Sequence, residues 1–218
     1  MGDLEPTLVI GNKRYSSWSL RPWLAMRMAN ARFNEIKVTL RQTGKTAETI
    51  RLHNPSGTVP ALKLGDTVIA ESLAICEWVN DAYPQARLWP ENPIARAIAR
   101  AYASEMHAGF TGLRRDMPMD VCGSYPGQGH TPEALDDVAR VLAIWNTCRK
   151  KFGGAGPYLF GHFTITDAMF APVVSRLQTY DVTVDDTSAE YIDAVWSLPA
   201  IKDWVAEAAT EAPLPHPL

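Results

Sequence analysis

The sequence predicts an α/β sheet domain followed by an all-α helical bundle domain, on three observations. Strand-like and helix-like patterns follow one another as β-α-β-α-β-β-α through residues 1–83. A proline-rich break, DAYPQARLWPENP, comes next, with a linker expected at 84–93. Beyond it, over 94–218, the apolar periodicity is helical and no strand-like alternation of any length occurs.

The elements can be justified in order. TLVIGN is a short apolar run closed by Gly11-Asn12, a buried strand. Leu20, Trp23, Leu24 and Met28 then recur at helical spacing, and Pro22 suits the first turn, where no intrahelical N–H is lost. EIKVTL places Ile36, Val38 and Leu40 on one face of a second strand, giving a parallel strand-helix-strand unit. TAETIRLHNP reads as a short helix stopped at Asn54-Pro55. VPALKLGDTVIAES holds two strands joined at Gly65-Asp66, with glycine where a type II′ hairpin turn needs it. SLAICEWVNDAYP carries one stripe through Leu73, Cys76 and Val79 and another through Ile75, Trp78 and Ala82, so this helix is covered on more than one side. Helical patterns then run over Ile94–Arg115, Pro132–Phe152, Thr164–Tyr180 and Pro199–Ala209, with the Gly-rich stretches GSYPGQG and GGAGP between some of them.

Composition narrows the functions. A chain of 218 residues with 46% hydrophobic content can bury a substantial core. The net charge of −3, without a long run of one sign, speaks against nucleic-acid and membrane-surface partners. The start MGDLEPTLVI is too short and acidic for a secretory signal, and no stretch reaches the roughly 20 apolar residues of a membrane helix. Cys76, Cys122 and Cys148 stand far apart, in neither a CxxC nor a zinc-ligand spacing, as expected of a reduced cytoplasmic protein.

Four places can carry chemistry. Ser16, Ser17 and Ser19 crowd the start of the first helix, where unpaired N–H groups and a partial positive charge gather. A hydroxyl there caps the helix or donates to a bound anion, and capping alone leaves three serines unexplained. Val59-Pro60 opens a strand; a trans bond is the common form, whereas a cis bond would free the Val59 backbone for an extended peptide ligand. Glu71-Ser72 stand between a strand and a helix, where Ser72 is an N-cap or a carboxylate receiver. Thr164 and Asp167 form a capping box before an apolar run, a structural feature.

In order and separation these segments resemble the cytosolic glutathione transferases, and the resemblance spans nearly the whole chain. HNPSGTVPAL is similar to the stretch around that family's cis-proline, AESLAICEWV to its Glu-Ser motif, and GHFTITDAMFAP to the capping-box segment of its helical domain. The sheet domain then resembles a thioredoxin-like domain. YSSWSLRP lies where thioredoxins carry CxxC, and it has serines instead. Ser16, five residues before Arg21, resembles the serine of the zeta and tau classes, with Ser17 its close rival. The zeta motif has cysteine where this chain has Trp18, which sets the zeta-type isomerase activity apart.

The resemblance implies glutathione as co-substrate. A serine hydroxyl favours its thiolate, with Ser19 alongside. Val59 and Pro60 hold the cysteinyl part, and Glu71 and Ser72 hold the γ-glutamyl end. Lys45 or His53 reaches the glycine carboxylate. A hydrophobic electrophile would meet Met106, His107, Phe110 or Arg114 from EMHAGFTGLRRDM, residues whose spacing also suits core and solvated positions. Attack of the thiolate on that electrophile is the implied reaction; glutathione-dependent isomerisation of the maleylacetoacetate type and a non-catalytic binding or assembly module are the alternatives. The cysteine-dependent type needs a cysteine at the first helix, and none is there. A homodimer is also implied, with Leu88 and Trp89 as contacts or as interdomain core.

Overall fold

The computed structural model describes residues 5–214. Strand β1 (Thr7–Gly11) sits inside a four-stranded sheet of order β2-β1-β3-β4. β2 (Asn34–Val38) runs parallel to it, with Val9 opposite Ile36. β3 (Ala61–Leu64) runs antiparallel on its other side, and β4 (Thr67–Ala70) folds back as a hairpin on β3. Gly65 has φ +60° while Asp66 does not enter positive φ, as a type II′ turn requires.

The two-residue period of β1 explains the layering. Leu8 and Ile10 face a core that continues into the helical part, whereas Val9 faces a small second cluster with Val38, Ile50 and Ala61. Ile50 comes from α2 (Lys45–Arg51), so that helix covers one face. On the other face α1 (Ser17–Met28) and α3 (Ser72–Ala82) lie side by side, the two-sided covering that the double stripe of α3 anticipates. Leu40 falls outside β2: the strand stops at Val38, and Leu40 instead gives its N–H to Asn12 Oδ1 at 2.8 Å. Pro22 lies in the second turn of α1, not the first, because Ser16 caps the helix well upstream of it.

After a 3-10 turn at Pro84–Ala86, the remaining elements among the described residues are helical: α4 (Pro93–Ala108), α5 (Thr111–Asp116), α6 (Pro132–Phe152) with a second 3-10 turn at Gly153–Ala155, α7 (Ile165–Thr179), α8 (Asp186–Trp196) and α9 (Pro199–Ala208). The expected helix over 94–115 is broken. Phe110 takes a left-handed φ of +61°, and the Arg114 guanidinium donates to the carbonyls of Met106, His107 and Gly109, closing the end of α4. Helix α8 was missed by the sequence reading; its polar opening conceals the stripe of Tyr191, Ile192 and Val195. The capping box is present: Asp167, fully buried, accepts from the Thr164 N–H at 2.7 Å and hydroxyl at 2.8 Å and from the Leu159 N–H at 3.1 Å. Helix α7 packs on α1 and α4, so one core joins the two halves. Leu88 and Trp89 are buried in that core. Among the described residues no helix is long and apolar enough to cross a membrane.

Candidate active site

The start of α1 is held from within. The Ser16 hydroxyl donates to Ser19 Oγ at 2.7 Å, and Ser19 Oγ also accepts the Gly11 N–H at 3.1 Å. Ser16 is the N-cap, though its bond from the Ser19 N–H is long at 3.4 Å. Ser16 and Ser17 keep 5% and 6% of their surface, whereas Ser19 keeps none. Ser19 therefore cannot touch glutathione: the expectation of a binding contact is corrected to a role behind Ser16. Capping and hydrogen-bond donation are both open to Ser16, because a hydroxyl proton rotates to suit its partner.

The loop before β3 is organised by Asn54. Its amide donates to the Thr58 carbonyl at 2.8 Å and to Ser56 Oγ at 2.6 Å. The Val59–Pro60 bond that follows is cis. Glu71 precedes α3 with φ +83°, a conformation costly for a residue with a Cβ. Its carboxylate accepts from the N–H groups of Leu73 and Ala74 and from the Ser72 hydroxyl. Burial pushes the Glu71 carboxyl up, but these donors outweigh it and the net position is below the usual carboxylate range.

A cavity of about 440 Å³ lies between these segments. Val59, Pro60, Glu71 and Ser72 line it from the sheet side, and His107 of α4 from the helical side. Trp18 completes the wall, 36% exposed. The guanidinium groups of Arg21, at 4.3 Å, and Arg114, at 4.8 Å, both stack on the Trp18 ring, which meets the His107 ring edge-on. Arg21 is wholly buried, and none of its guanidinium nitrogens donates a hydrogen bond among the described residues. Burial, and then the nearby Arg114 and Arg176, push its pKa down. His107 Nδ1 is 3.2 Å from Glu71 Oε1, close enough for charge attraction but not aligned as a hydrogen bond.

Other expectations fare differently. Met106 is fully buried and Phe110 nearly so, both packed in the core, so neither faces the cavity. Arg114 is not part of the cavity lining; it stacks on Trp18 while its Nε and Nη2 serve the end of α4. Lys45 sits at the exposed start of α2 and His53 just past its end, and neither lines the cavity. Sequence reasoning missed Ser56 and Thr58 on the wall, although both stand in the SGT run beside Val59. Residues 211–214 of EAPLPHPL lie against the loop at 13–15, the last four being outside the described residues: Glu211 accepts the N–H groups of Lys13 and Arg14, and the Leu214 N–H donates to the Tyr15 hydroxyl at 2.9 Å.

A four-stranded sheet half with a cis Val-Pro turn and a Glu-Ser helix start, joined through one core to an all-helical half, defines a class of two-part α/β plus all-α proteins. The comparisons agree. Residues 15–82 match the glutathione S-transferase N-terminal domain, and residues 128–207 match the glutathione S-transferase C-terminal domain. Glutathione S-transferase Z1 of Arabidopsis thaliana is 33% identical over 211 residues, covering 92% of this chain and 94% of that protein. Maleylacetoacetate isomerase of Rattus norvegicus is 26% identical over 182 residues, 82% of this chain and 81% of that protein. A glutathione S-transferase structure from the Antarctic clam Laternula elliptica superposes with a TM-score of 0.73 at 21% identity, over 95% of each chain. A Burkholderia glutathione transferase homolog with bound glutathione gives 0.71 at 20% identity, over 94% of this chain and 98% of that one. The chain belongs to the glutathione S-transferase family.

Proposed function

We propose that this chain is a glutathione transferase in which the start of α1 activates the glutathione thiol for attack on an electrophilic small molecule. The observation that carries the reading is one cavity that gathers Val59–Pro60, Glu71–Ser72, Trp18, and His107 from the other half; Ser16 and Ser17 precede Trp18 in the chain without lining that cavity. The cysteinyl backbone of glutathione pairs along Val59, and its γ-glutamyl end meets Glu71 and Ser72 at the start of α3, where helix N–H groups favour a carboxylate.

The sulfur then lies at the N-terminus of α1. A free thiol titrates near roughly 8.5, so a neutral solution holds little thiolate. Ser16 turns its hydroxyl from Ser19 to the sulfur, and Ser19 turns its own hydroxyl back to Ser16. The line Gly11 N–H, Ser19, Ser16, thiolate keeps every bond and polarises each donor in turn. Ser17, whose hydroxyl takes part in no hydrogen bond among the described residues, is the competing donor. The electrophile lies against Trp18 and His107, in a cavity of the usual size for small ligands.

The protein works as a homodimer in the reducing cytoplasm, with the chain divided at 84–93. A second reading, isomerisation of maleylacetoacetate by the same bound thiol, is favoured by the relatives of that name; Trp18 in place of the zeta cysteine stands against it. Calorimetric titration of glutathione, with ultraviolet detection of the bound thiolate, tests the main reading. Glutathione that does not bind, or binds without any thiolate signal at neutral pH, defeats it. Turnover of maleylacetoacetate with no conjugation of model electrophiles would move the assignment to the isomerase.

A further inference from the structure

We infer that Glu211 is a positioning residue for the thiol-activating serine, which rests on the reading above. The loop before α1 belongs to the sheet half by sequence, but its hydrogen bonds belong to the helical half. Lys13 and Arg14 have four backbone polar groups between them, and all four are answered from beyond residue 120. The Lys13 N–H donates to Glu211 Oε1 at 2.9 Å and the Arg14 N–H to Glu211 Oε2 at 3.2 Å. The Lys13 carbonyl accepts from Trp204 Nε1 at 2.7 Å, and the Arg14 carbonyl from the Val121 N–H at 3.1 Å.

Glu211 supplies two of these bonds with one carboxylate. Its side chain keeps 7% of its surface, with Lys37 Nζ at 3.7 Å to balance the charge. Two residues further on, the Ser16 N–H is tied to the Asn12 carbonyl at 2.9 Å. The turn 12–16 is therefore closed on itself and held by Glu211, and the position of Ser16 Oγ follows from it. Releasing the Glu211 end leaves the fold standing: Lys13 keeps its contacts with Glu35 and Glu207 at 2.8 and 2.6 Å, and Arg14 keeps its paired bonds to Asp120 at 2.7 and 3.0 Å. It frees the turn by the small distances to which activation of a nucleophile is sensitive.

The sign of one measurement separates positioning from charge. Removing a carboxylate near a thiolate lowers the thiol pKa by relieving repulsion, whereas misplacing the serine raises it. Glu211→Ala and Glu211→Gln are compared with wild type by ultraviolet titration of bound glutathione, by kcat and KM, and by thermal melting. The expected result for Glu211→Ala is a thiol pKa raised by about one unit, with kcat at neutral pH down about three- to fivefold to match. KM for glutathione should stay within about twofold, because Val59, Glu71 and Ser72 are untouched. Glu211→Gln, which keeps one acceptor, recovers part of both changes. A thiol pKa unchanged or lowered in folded Glu211→Ala, or in folded Glu211→Gln should the alanine chain not fold, overturns the inference. Failure of the wild type to form bound thiolate is a separate result and removes the glutathione reading beneath it.

Discussion

Replacing Ser16 by alanine tests the hydroxyl relay directly. The bond it removes is charge-assisted, worth about 1.5–3 kcal/mol. At about 1.4 kcal/mol per pKa unit, the bound thiol should rise by roughly one to two units. The thiolate is then lost in the window between the old and new values, so the rate at neutral pH falls about 5- to 30-fold for a wild-type thiol that is already partly ionised there. The deficit closes as pH climbs past about 9, where even an unassisted thiol ionises. Because Ser16 is also the N-cap, stability should drop by about 0.5–2 kcal/mol, towards the low end given the 3.4 Å cap bond. Ser19→Ala should give the opposite balance. It leaves the buried Gly11 N–H unanswered, costing about 1–3 kcal/mol of stability. It moves the thiol by only a few tenths of a unit, since it removes polarisation and not the donor. The assays are pH-rate profiles with a model electrophile, ultraviolet titration of the bound thiol, and thermal melting. A thiol pKa that rises in Ser17→Ala and stays put in Ser16→Ala would refute the relay and move activation to Ser17.

Three further outcomes follow from the geometry. Glu71→Gln keeps an acceptor but loses the charge, so glutathione affinity should weaken about 5- to 30-fold in calorimetry, the effect of about 1–2 kcal/mol. In the wild type the Glu71 carboxyl is held below its ordinary range, so its contribution to stability is full at neutral pH and is lost as pH falls through that depressed value; acid melting curves of the two proteins should converge there. Burial pushes the Cys148 thiol up to about 12 and the Cys76 thiol up as well, and only Cys122 is exposed, so a thiol reagent should label one cysteine in the native protein and all three after unfolding. Asp167→Ala leaves buried donors of Leu159 and Thr164 without an acceptor and should cost about 3 kcal/mol or more, a fall in Tm of roughly 6–12 °C by calorimetry.

Local pattern made much of the fold legible. The alternation of Leu8, Val9 and Ile10, the Gly65-Asp66 turn and the capping box at Thr164 each report on neighbours a few residues away, and the structure keeps all three. The break at Gly109-Phe110 was hidden because its cause is a side chain, Arg114, that turns back onto carbonyls while the apolar spacing runs on. Val59–Pro60, Glu71–Ser72 and His107 were legible as wall residues through the resemblance. Met106 and Phe110, open between pocket and core in the sequence, fall to the core; one apolar stripe cannot say which of the two it faces. The burial of Lys13 and Arg21 was not legible: Lys13 is balanced by Glu35 and Glu207, and Arg21 stacks under Trp18 among other cations, and sequence patterning alone reveals neither environment.

The pinning of Lys13 and Arg14 by Val121, Trp204 and Glu211 also has a meaning in time. A ribosome makes the serine turn long before its last partner, Glu211. When the sheet half has emerged, the strands, the hairpin and the Val59–Pro60 turn have their neighbours, but the four backbone groups ahead of Ser16 have none of theirs. Nascent chains stalled short of Glu211 therefore carry the scaffold of the peptide site without a completed turn beside it, and any nonsense change upstream of residue 211 removes that partner from the finished protein.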